Sequence, residues 1–341
     1  MFHSNPMVVG LSILLLSGAG IFSPASAGGG EIRVGFFPNV THAQALAGRA
    51  NGLFERSTRA KIAWKSFNAG PTAMEALIAG EIDLAYVGPN PAINAYLRSK
   101  GKALKVIAGA ASGGASLVVR RGAGIRSAGD LKGKRVASPE IGNTQDVALR
   151  TWLKAQGMTP NRDVRVAALK NADILTLFLQ KELDAAWVPE PWATRLVLEA
   201  GGEIFLDERT LWPDGDFTTA VLVARSGFLR EERERVRDFL SAHVDLTLWI
   251  HGNPAEAKKA INAQLAGLLG KPLPAEVLDR AFTRMRFTWD PVPRSLAASA
   301  KNAEALGYLP RTGVGASGVT NLVDLSVLNE VLASRKLPGG R

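Results

Sequence analysis

The stretch EIDLAYV at residues 81–87 recurs as ELDAAWV at residues 182–188. Each copy follows an apolar segment with helical character and precedes a loop that contains proline. The copies lie about 100 residues apart, which exceeds the period of solenoids and propellers. The repeat therefore predicts two lobes of similar construction rather than a repeat array.

Strand, loop and helix signals alternate around both copies. Residues 32–34, a loop to Asn39 and a helix from Thr41 correspond to residues 135–137, a loop to Asn143 and a helix from Thr144. The segment 72–75 has the form of a capping box, with Pro71 at a helix start and Gly80 at its end. This alternation is typical of βαβ units with a mainly parallel sheet, so the predicted fold class is α/β.

Two extended apolar segments, 116–119 and 219–223, bracket the second copy, and we interpret them as the two crossings between the lobes. The predicted division is a signal peptide at 1–27, a first lobe at 28–118 and 220–341, and an inserted second lobe at 119–219. A covering helix is predicted over 231–251, because its apolar residues recur at spacings near 3.6. A short last helix is predicted near 324–332.

Composition excludes several functional classes. The chain has 341 residues, of which 46% are hydrophobic, and no cysteine. A thiol nucleophile, a cysteine-ligated zinc, an iron–sulfur cluster and a lipidated N-terminal cysteine are therefore excluded. The net charge of +10 would favour an anionic partner, but an ordinary solvated surface is the favoured interpretation. The basic residues form no run longer than a pair, which does not indicate nucleic-acid binding.

The N-terminal segment has the pattern of an export signal. Residues 8–22 are mainly apolar but too few for a transmembrane helix, which needs about 20 residues. Pro24 and then ASA at 25–27 follow, as a signal-peptidase site requires. We expect cleavage after Ala27, although the segment lacks the usual Lys or Arg. The alternative interpretation is a buried N-terminal helix.

Four loops rich in Gly, Pro, Asn and Thr precede predicted helices, at 39–42, 70–72, 88–91 and 142–145. Helix N-termini carry unpaired N–H donors and a partial positive charge, so several that converge form an anion site without Lys or Arg. Each loop alone is typical of a cap. Their matching positions in two lobes predict a site between the lobes.

The segment WVPEPW at 187–192 leaves two alternatives open. Trp187 matches Tyr86 in the repeat and either packs in the core or lines the cleft. Glu190 either accepts a ligand N–H or bonds across the cleft to hold a closed form.

Catalytic motifs are sparse. The histidines lack zinc-site spacing, and no GxSxG elbow or GxxxxGK[ST] loop occurs. No metal and no cofactor are predicted, and binding is favoured over catalysis. The rival hypothesis is an exported enzyme with His42 as general base, which would need a nucleophile or metal ligand nearby.

Several segments together resemble one family of proteins. They are GPTAMEALIAGEIDLAYVG at 70–88, GASLVVR at 114–120, LKGKRVASPEIGNTQDVALRTWL at 131–153 and EPW at 190–192. They are similar to the substrate-binding proteins of ABC importers for nitrate, sulfonates and taurine, with 142–153 resembling the aliphatic-sulfonate branch. The resemblance implies a periplasmic-binding-protein type II fold, with two α/β lobes joined by two crossover strands that close on a ligand.

The resemblance also implies a function and a site. The expected protein is a periplasmic monomer, not lipid-anchored, that delivers a small anion to a membrane permease with its ATPase. An aliphatic sulfonate is the favoured ligand, with nitrate or taurine as alternatives. The implied ligand-binding residues are Asn39, Thr41, His42, Gly70, Pro71, Thr72, Gly88, Asn90, Ser112, Ser116, Asn143, Thr144, Gln145, Trp187 and Glu190.

Overall fold

The computed structural model describes residues 1–3, 30–309 and 319–340. Apart from its first three residues, the predicted signal peptide lies outside these ranges, as does the stretch 310–318. Within the described ranges, no helix is both long and apolar enough to cross a membrane.

Two β-sheets organise the chain. The first has the order β11-β4-β10-β3-β1-β2, in which β1 is parallel to β2 and β3, whereas β10 is antiparallel to β3 and β4. Its strands are β1 (Glu31–Phe36), β2 (Lys61–Ser66), β3 (Leu84–Val87), β4 (Leu104–Gly113), β10 (Thr218–Arg225) and β11 (Met285–Phe287). We call this sheet and its covering helices the first lobe.

The second sheet has the order β7-β6-β8-β5-β9. Strand β6 is parallel to β7 and β8, and β5 is antiparallel to β8 and β9. Its strands are β5 (Ala115–Arg120), β6 (Arg135–Pro139), β7 (Arg165–Leu169), β8 (Ala185–Pro189) and β9 (Gly202–Asp207). This sheet and its helices form the second lobe.

Helices cover both sheets. In the first lobe they are α1 (Ala43–Asn51), α2 (Leu53–Thr58), α3 (Gly70–Ile78), α4 (Pro89–Arg98), α8 (Ser226–Glu231), α9 (Arg233–Gly252), α10 (Pro254–Leu269), α11 (Ala275–Thr283), α12 (Pro293–Ala305) and α13 (Ser326–Ser334). In the second lobe they are α5 (Thr144–Ala155), α6 (Asn171–Leu179) and α7 (Trp192–Glu199). The predicted covering helix is α9, and the predicted last helix is α13, which contributes Leu328 and Leu332 to the first-lobe core.

The sequence repeat is a repeat of structure. Strand β3 holds the first copy and β8 the second, and the order β10-β3-β1-β2 matches β5-β8-β6-β7 in strand directions. Both β3 and β8 are fully buried, which explains why each copy is apolar beyond its first residues. The predicted α/β fold with two similar lobes is confirmed.

One aspartate in each copy, directly before β3 or β8, is hydrogen-bonded to arginines of two neighbouring strands. The groups involved are Asp83 with Arg33 and Arg225, and Asp184 with Arg135 and Arg120. Arg225 Nη2 lies 3.1 Å from Asp83 Oδ1, and Arg120 Nη2 lies 2.9 Å from Asp184 Oδ1. Burial opposes ionisation of both carboxyls, but the arginine hydrogen bonds outweigh it and lower the pKa of each.

The chain crosses between the lobes at other places than predicted. The segment 116–119 lies within β5 of the second sheet and 219–223 within β10 of the first, because each pairs on both edges with strands of its own lobe. The first crossing is at Gly113 and Gly114, and the second is over residues 208–217. Both glycines have φ of +78°, and a Cβ at Gly113 would lie 2.7 Å from the Arg284 carbonyl oxygen. This sharp crossing therefore requires glycine.

The predicted capping box at 72–75 is wrong. Helix α3 begins earlier, at Gly70, and its N-cap is Ala69, without a side-chain cap. The Thr72 hydroxyl donates back to the Ala69 carbonyl at 3.1 Å, so it does not cap the helix. The predicted end is correct, because Gly80 follows the helix with φ of +75°.

Candidate functional site

A narrow cavity lies between the lobes, where the carboxyl ends of strands from both sheets meet. The volume that the centre of a water-sized sphere can occupy in this cavity is about 20 Å³. Its lining residues are Phe37, Asn39, Thr41, His42, Asn68, Gly88, Asn143, Thr144, Gln145, Asn171, Pro189 and Thr219. Ligands of parallel α/β sheets gather at such strand ends, so this cavity is the candidate binding site.

Three helices begin at this cavity. Gly88 is the N-cap of α4, Asn143 is the N-cap of α5, and Asn171 is the first residue of α6. Asn143 accepts a hydrogen bond from the Thr144 backbone N–H at 2.9 Å. The partial positive charge of each N-terminus favours an anion here, in one lobe and in the other.

Two polar atoms at the cavity have no hydrogen-bond partner among the residues that the structure describes. They are Thr144 Oγ1 and Asn171 Oδ1, which are buried in side chains that are 6% and 8% exposed. An unpaired buried polar atom costs about 1–3 kcal/mol, so native structures keep few of them. Both belong to the second lobe and both lie at helix starts. A polar ligand in the cavity would remove this cost.

His42 offers a neutral donor to the cavity. Burial lowers the pKa of its imidazole to about 3, so the ring is uncharged at neutral pH. The backbone N–H of Phe37 donates to His42 Nδ1 at 3.2 Å, which leaves the ring proton on Nε2. The Phe37 ring stacks on the imidazole with centroids 4.6 Å apart and holds its orientation.

The lobes touch beside the cavity at Gly88 and Thr144. A Cβ at Gly88 would lie 2.3 Å from Thr144 Oγ1 and 3.3 Å from Thr144 Cβ. Only a residue without a side chain therefore allows this approach. The described arrangement is closed, with little space left between the lobes.

Backbone and side-chain hydrogen bonds also join the lobes. The Val40 N–H donates to the Glu190 carbonyl oxygen at 3.1 Å, and Trp192 Nε1 donates to Asn39 Oδ1 at 2.9 Å. The Glu190 carboxylate accepts from Arg284 Nη1 at 3.1 Å, and Arg284 belongs to the first lobe. These bonds hold the closed arrangement with protein groups alone.

Seven of the residues predicted for the site come together at the cavity. They are Asn39, Thr41, His42, Gly88, Asn143, Thr144 and Gln145. All lie in the loops or first helical turns that directly follow β1, β3 and β6, which brings them to one edge of the sheets.

The predicted residues of α3 and α4 lie outside the cavity. Gly70 faces Pro91, whose Cγ would lie 2.2 Å from a Cβ at Gly70. Pro71 lines a separate outer groove. Thr72 bonds to its own turn, and Asn90 Nδ2 donates to the Ser299 carbonyl at 3.3 Å. In this part of the chain, the residue that lines the cavity is Asn68, which precedes the start of α3.

The predicted serines near the first crossing also lie elsewhere. Ser112 Oγ donates to Asp216 Oδ1 at 3.0 Å and lines a polar groove beside the second crossing. Ser116 is buried inside β5 and does not line the cavity. Because β5 is an inner strand of the second sheet, between β8 and β9, its side chains face that lobe's own layers.

Trp187 packs in the core rather than in the cleft wall. Its side chain is fully buried, and its Nε1 donates to Glu208 Oε2 at 2.8 Å. Trp187 lies two residues before the end of β8, and only the last residue, Pro189, reaches the cavity. Burial raises the pKa of the Glu208 carboxyl to about 7, despite the hydrogen bonds from Trp187 and Trp212.

Glu190 does not line the cavity. Its carboxylate accepts from the Thr194 hydroxyl at 3.0 Å as well as from Arg284. Burial raises its pKa, and the charge of Arg284 opposes that effect. Of the two alternatives for Glu190, the bond between the lobes is the one observed.

Sequence reasoning missed five residues that line the cavity. They are Phe37, Asn68, Asn171, Pro189 and Thr219. The repeat contains the signal for Asn68 and Asn171. Each lies two residues beyond the end of a corresponding strand, Asn68 after β2 and Asn171 after β7. Thr219 lies in the segment 219–223, which the sequence predicts to be a crossing, and is therefore not predicted for the site.

The described residues contain no group of three or more His, Cys, Asp or Glu side chains that could hold a metal ion. At the cavity, His42 has a depressed pKa and is therefore a weak base. The lining side chains beside it are amides, threonines and apolar groups, which suit binding by hydrogen bonds.

Comparisons with known proteins agree with this architecture. The profile of the NMT1-like family matches residues 27–266. The taurine-binding periplasmic protein of Escherichia coli K12 is 27% identical over 231 residues, which cover 67% of this chain and 70% of that protein.

Solved structures give the same result for the fold. The alkanesulfonate-binding protein of Xanthomonas axonopodis pv. citri, bound to MOPS, aligns with a TM-score of 0.69 at 23% identity, over 82% of this chain and 94% of that one. The periplasmic nitrate-binding protein of Synechocystis PCC 6803 aligns with a TM-score of 0.79 at 17% identity, over 90% of this chain and 89% of that one. The predicted fold of periplasmic binding proteins is confirmed.

Proposed function

Because the chain belongs to the NMT1-like family, we propose that it is the solute-binding component of an ABC importer and captures a small oxyanion between its lobes. The observation that carries this proposal is the Thr144 hydroxyl, a buried donor without a hydrogen-bond partner within the described chain, at the start of α5 on the cavity and beside the N-termini of α4 and α6. The names of its relatives support the class of ligand, since they include taurine, alkanesulfonate and nitrate binding.

The anion is held by dipoles rather than by a counter-charge. No Lys or Arg lines the cavity within the described chain. The available donors are the Thr144 hydroxyl, the His42 Nε2–H and the helix N-termini of α4, α5 and α6. Hydrogen bonds from such groups stabilise an oxyanion strongly in a water-poor site. The net charge of +10 then assists only the approach of the ligand.

Binding and closure are coupled because the donors come from both lobes. His42 and Gly88 belong to the first lobe, and Thr144 and Asn171 to the second. A ligand that contacts both sets stabilises the closed form over the open form, which shifts the population toward closure. The closed form is then the one that the permease and its ATPase would recognise.

Two ligand classes remain as candidates, and separate observations favour each. An aliphatic sulfonate is favoured by the sequence resemblance at 142–153 and by the relatives. A small inorganic anion such as nitrate is favoured by the room of about 20 Å³ between the closed lobes. The burial of Trp187 also leaves the cavity without that indole as an apolar wall for an organic tail.

The remaining parts of the proposal concern location and assembly. We propose that cleavage after Ala27 releases a periplasmic monomer without a lipid anchor, and that it binds its ligand without cofactor and without turnover. The relative from Escherichia coli is named as periplasmic, which supports the location.

Thermal unfolding of the mature chain from Gly28, with a panel of anions, tests the function. Nitrate, sulfate, taurine, methanesulfonate and butanesulfonate are each compared with chloride at equal ionic strength. A ligand at 100 times its Kd stabilises the native state by about 2.7 kcal/mol, which raises the melting temperature clearly. A melting temperature that no anion raises would overturn the proposal. A shift that falls with chain length from methanesulfonate to butanesulfonate favours the small anion.

A further inference from the structure

The carboxylate of Asp146, in the first turn of α5, accepts hydrogen bonds from four groups. Its carboxylate is fully buried and accepts from Ser138 Oγ at 3.0 Å, the Gly142 N–H at 3.0 Å and Arg150 Nε at 2.7 Å. These three groups belong to the second lobe and fix the loop that leads into α5. Thr144, which lines the cavity, lies within that same turn.

The fourth hydrogen bond comes from the other lobe. The Tyr308 hydroxyl donates to Asp146 Oδ2 at 2.9 Å, and Tyr308 follows α12 of the first lobe. Burial and the nearby Asp146 carboxylate raise the pKa of Tyr308 to about 12, so the hydroxyl keeps its proton at neutral pH. Nearby, Lys154 Nζ donates to the Ala305 carbonyl at 3.2 Å.

Apolar packing supports the same contact. Val147, on α5 of the second lobe, is buried in a cluster that otherwise belongs to the first lobe. Tyr308 packs against that cluster. The start of α5 is therefore held by the first lobe at the residues directly beyond Thr144.

We infer that Tyr308 is a positioning residue of the proposed anion site, which fixes the N-terminus of α5 through Asp146 when the lobes are closed. This inference rests on the proposed function. If the lobes separate, the Tyr308 hydroxyl leaves and Asp146 keeps its three partners within the second lobe. The bond therefore contributes to the closed form alone and couples closure to the geometry around Thr144.

The test is the Tyr308→Phe variant of the mature chain. Phenylalanine keeps the ring in its apolar cluster and removes only the donor. A hydrogen bond to a charged group is strong, so we expect nitrate or methanesulfonate, whichever the wild type binds, to bind about tenfold more weakly. Tyr96→Phe is the matched control, because the Tyr96 hydroxyl makes no hydrogen bond within the described chain.

Lobe separation gives a second readout that a purely structural role would not change. The chain has no cysteine, so spin labels can be placed at Lys61→Cys and Arg162→Cys, whose native side chains are 76% and 73% exposed. These sites lie on β2 and near β7, at the sheet edges away from the crossings. Without ligand, we expect Tyr308→Phe to shift the distances toward longer values, and saturating ligand to restore the closed distance.

The outcomes separate the two hypotheses. Unchanged affinity and unchanged distances in Tyr308→Phe would overturn the positioning role. If the wild type binds no anion, the proposed function fails, and the distances alone then report whether the hydroxyl holds the lobes together. Equal losses in Tyr308→Phe and Tyr96→Phe would also contradict the inference.

Discussion

Trp192 Nε1, at the start of α7 in the second lobe, donates a hydrogen bond to Asn39 Oδ1 in the first lobe at 2.9 Å. Both side chains are buried, and the guanidinium of Arg195 lies 4.8 Å from the centre of the indole. Asn39 is itself a lining residue of the cavity. A residue that lines the cavity therefore also takes part in a hydrogen bond between the lobes. Residues that hold the lobes together in this way should affect ligand affinity without touching the ligand.

We expect Trp192→Phe to lower affinity through the closed form. Loss of the indole donor leaves Asn39 Oδ1 without this partner when the lobes close, which costs about 1 kcal/mol or about a fivefold loss of affinity. Calorimetric titration with the anion identified in the thermal screen measures this change. Trp249→Phe is the control, since no hydrogen bond of that indole is recorded in the described ranges. Equal affinity in Trp192→Phe and wild type would show that the bond does not favour closure.

Thr144→Val tests the proposed contact with the anion. Valine has nearly the same shape but no hydroxyl, so the ligand loses one donor and binds about tenfold more weakly, for about 1–1.5 kcal/mol. The unligated protein should not lose stability, because the hydroxyl has no partner there. Thr176→Val, at an exposed threonine on α6, is the matched control. Unchanged affinity by calorimetry would remove Thr144 from the site.

Gly88→Ala should block closure without unfolding the protein. The backbone of Gly88 has φ of −69° and ψ of 154°, which alanine adopts freely, but the new methyl would lie 2.3 Å from Thr144 Oγ1. Overpacking of this kind costs about 1–3 kcal/mol, so affinity should fall about tenfold or more. The spin-label distances should move toward the open form. Gly267→Ala, on α10 with open space around it, should leave both measurements unchanged.

Glu208 should make stability depend on pH. The pKa of the Glu208 carboxyl is about 7 in the folded state and 4.5 in the unfolded state, so the unfolded chain ionises first as pH rises. The contribution of Glu208 to the free energy of unfolding is therefore fully present below pH 4.5 and is lost as pH rises toward 7. The loss amounts to about 3 kcal/mol, at 1.36 kcal/mol per pKa unit. The unfolding free energy of Glu208→Gln, relative to wild type, should therefore rise between pH 4.5 and pH 8 in urea titrations. The exposed Glu203→Gln should show no such rise, and an identical pH dependence of Glu208→Gln and wild type would contradict the assignment.

The strand-end residues of the site were predictable because their placement follows from local patterns. Asn39, Gly88 and Asn143 each follow a buried apolar strand and precede a helix start, and parallel strands bring such loops to one edge. Asn68 and Asn171 follow the same rule, but the strands before them carry weaker sequence signals. Both strands concerned, β2 and β7, are edge strands with weaker apolar patterns.

The errors share a physical cause. In a strand that is buried on both faces, the sequence does not tell which side chain reaches the strand end, so Trp187 was compatible with core and cleft alike. The predicted crossings differ from the observed ones for a similar reason. The sequences of β5 and β10 predict extended apolar segments, but they do not indicate which strands lie beside them. The crossing at Gly113 and Gly114 depends on the close approach of Arg284 and Met285, which lie far along the chain.

The sequence by itself determined the two similar α/β lobes, since the repeated strand, its buried character and its neighbouring helix starts are all local properties. The tertiary structure alone decided which groups meet across the lobes. Glu190 and Arg284 are 94 residues apart, and Tyr308 and Asp146 are 162 apart. Such pairs form only when the two lobes close, because their hydrogen bonds depend on the relative position of two lobes with separate sheets, which no local pattern encodes.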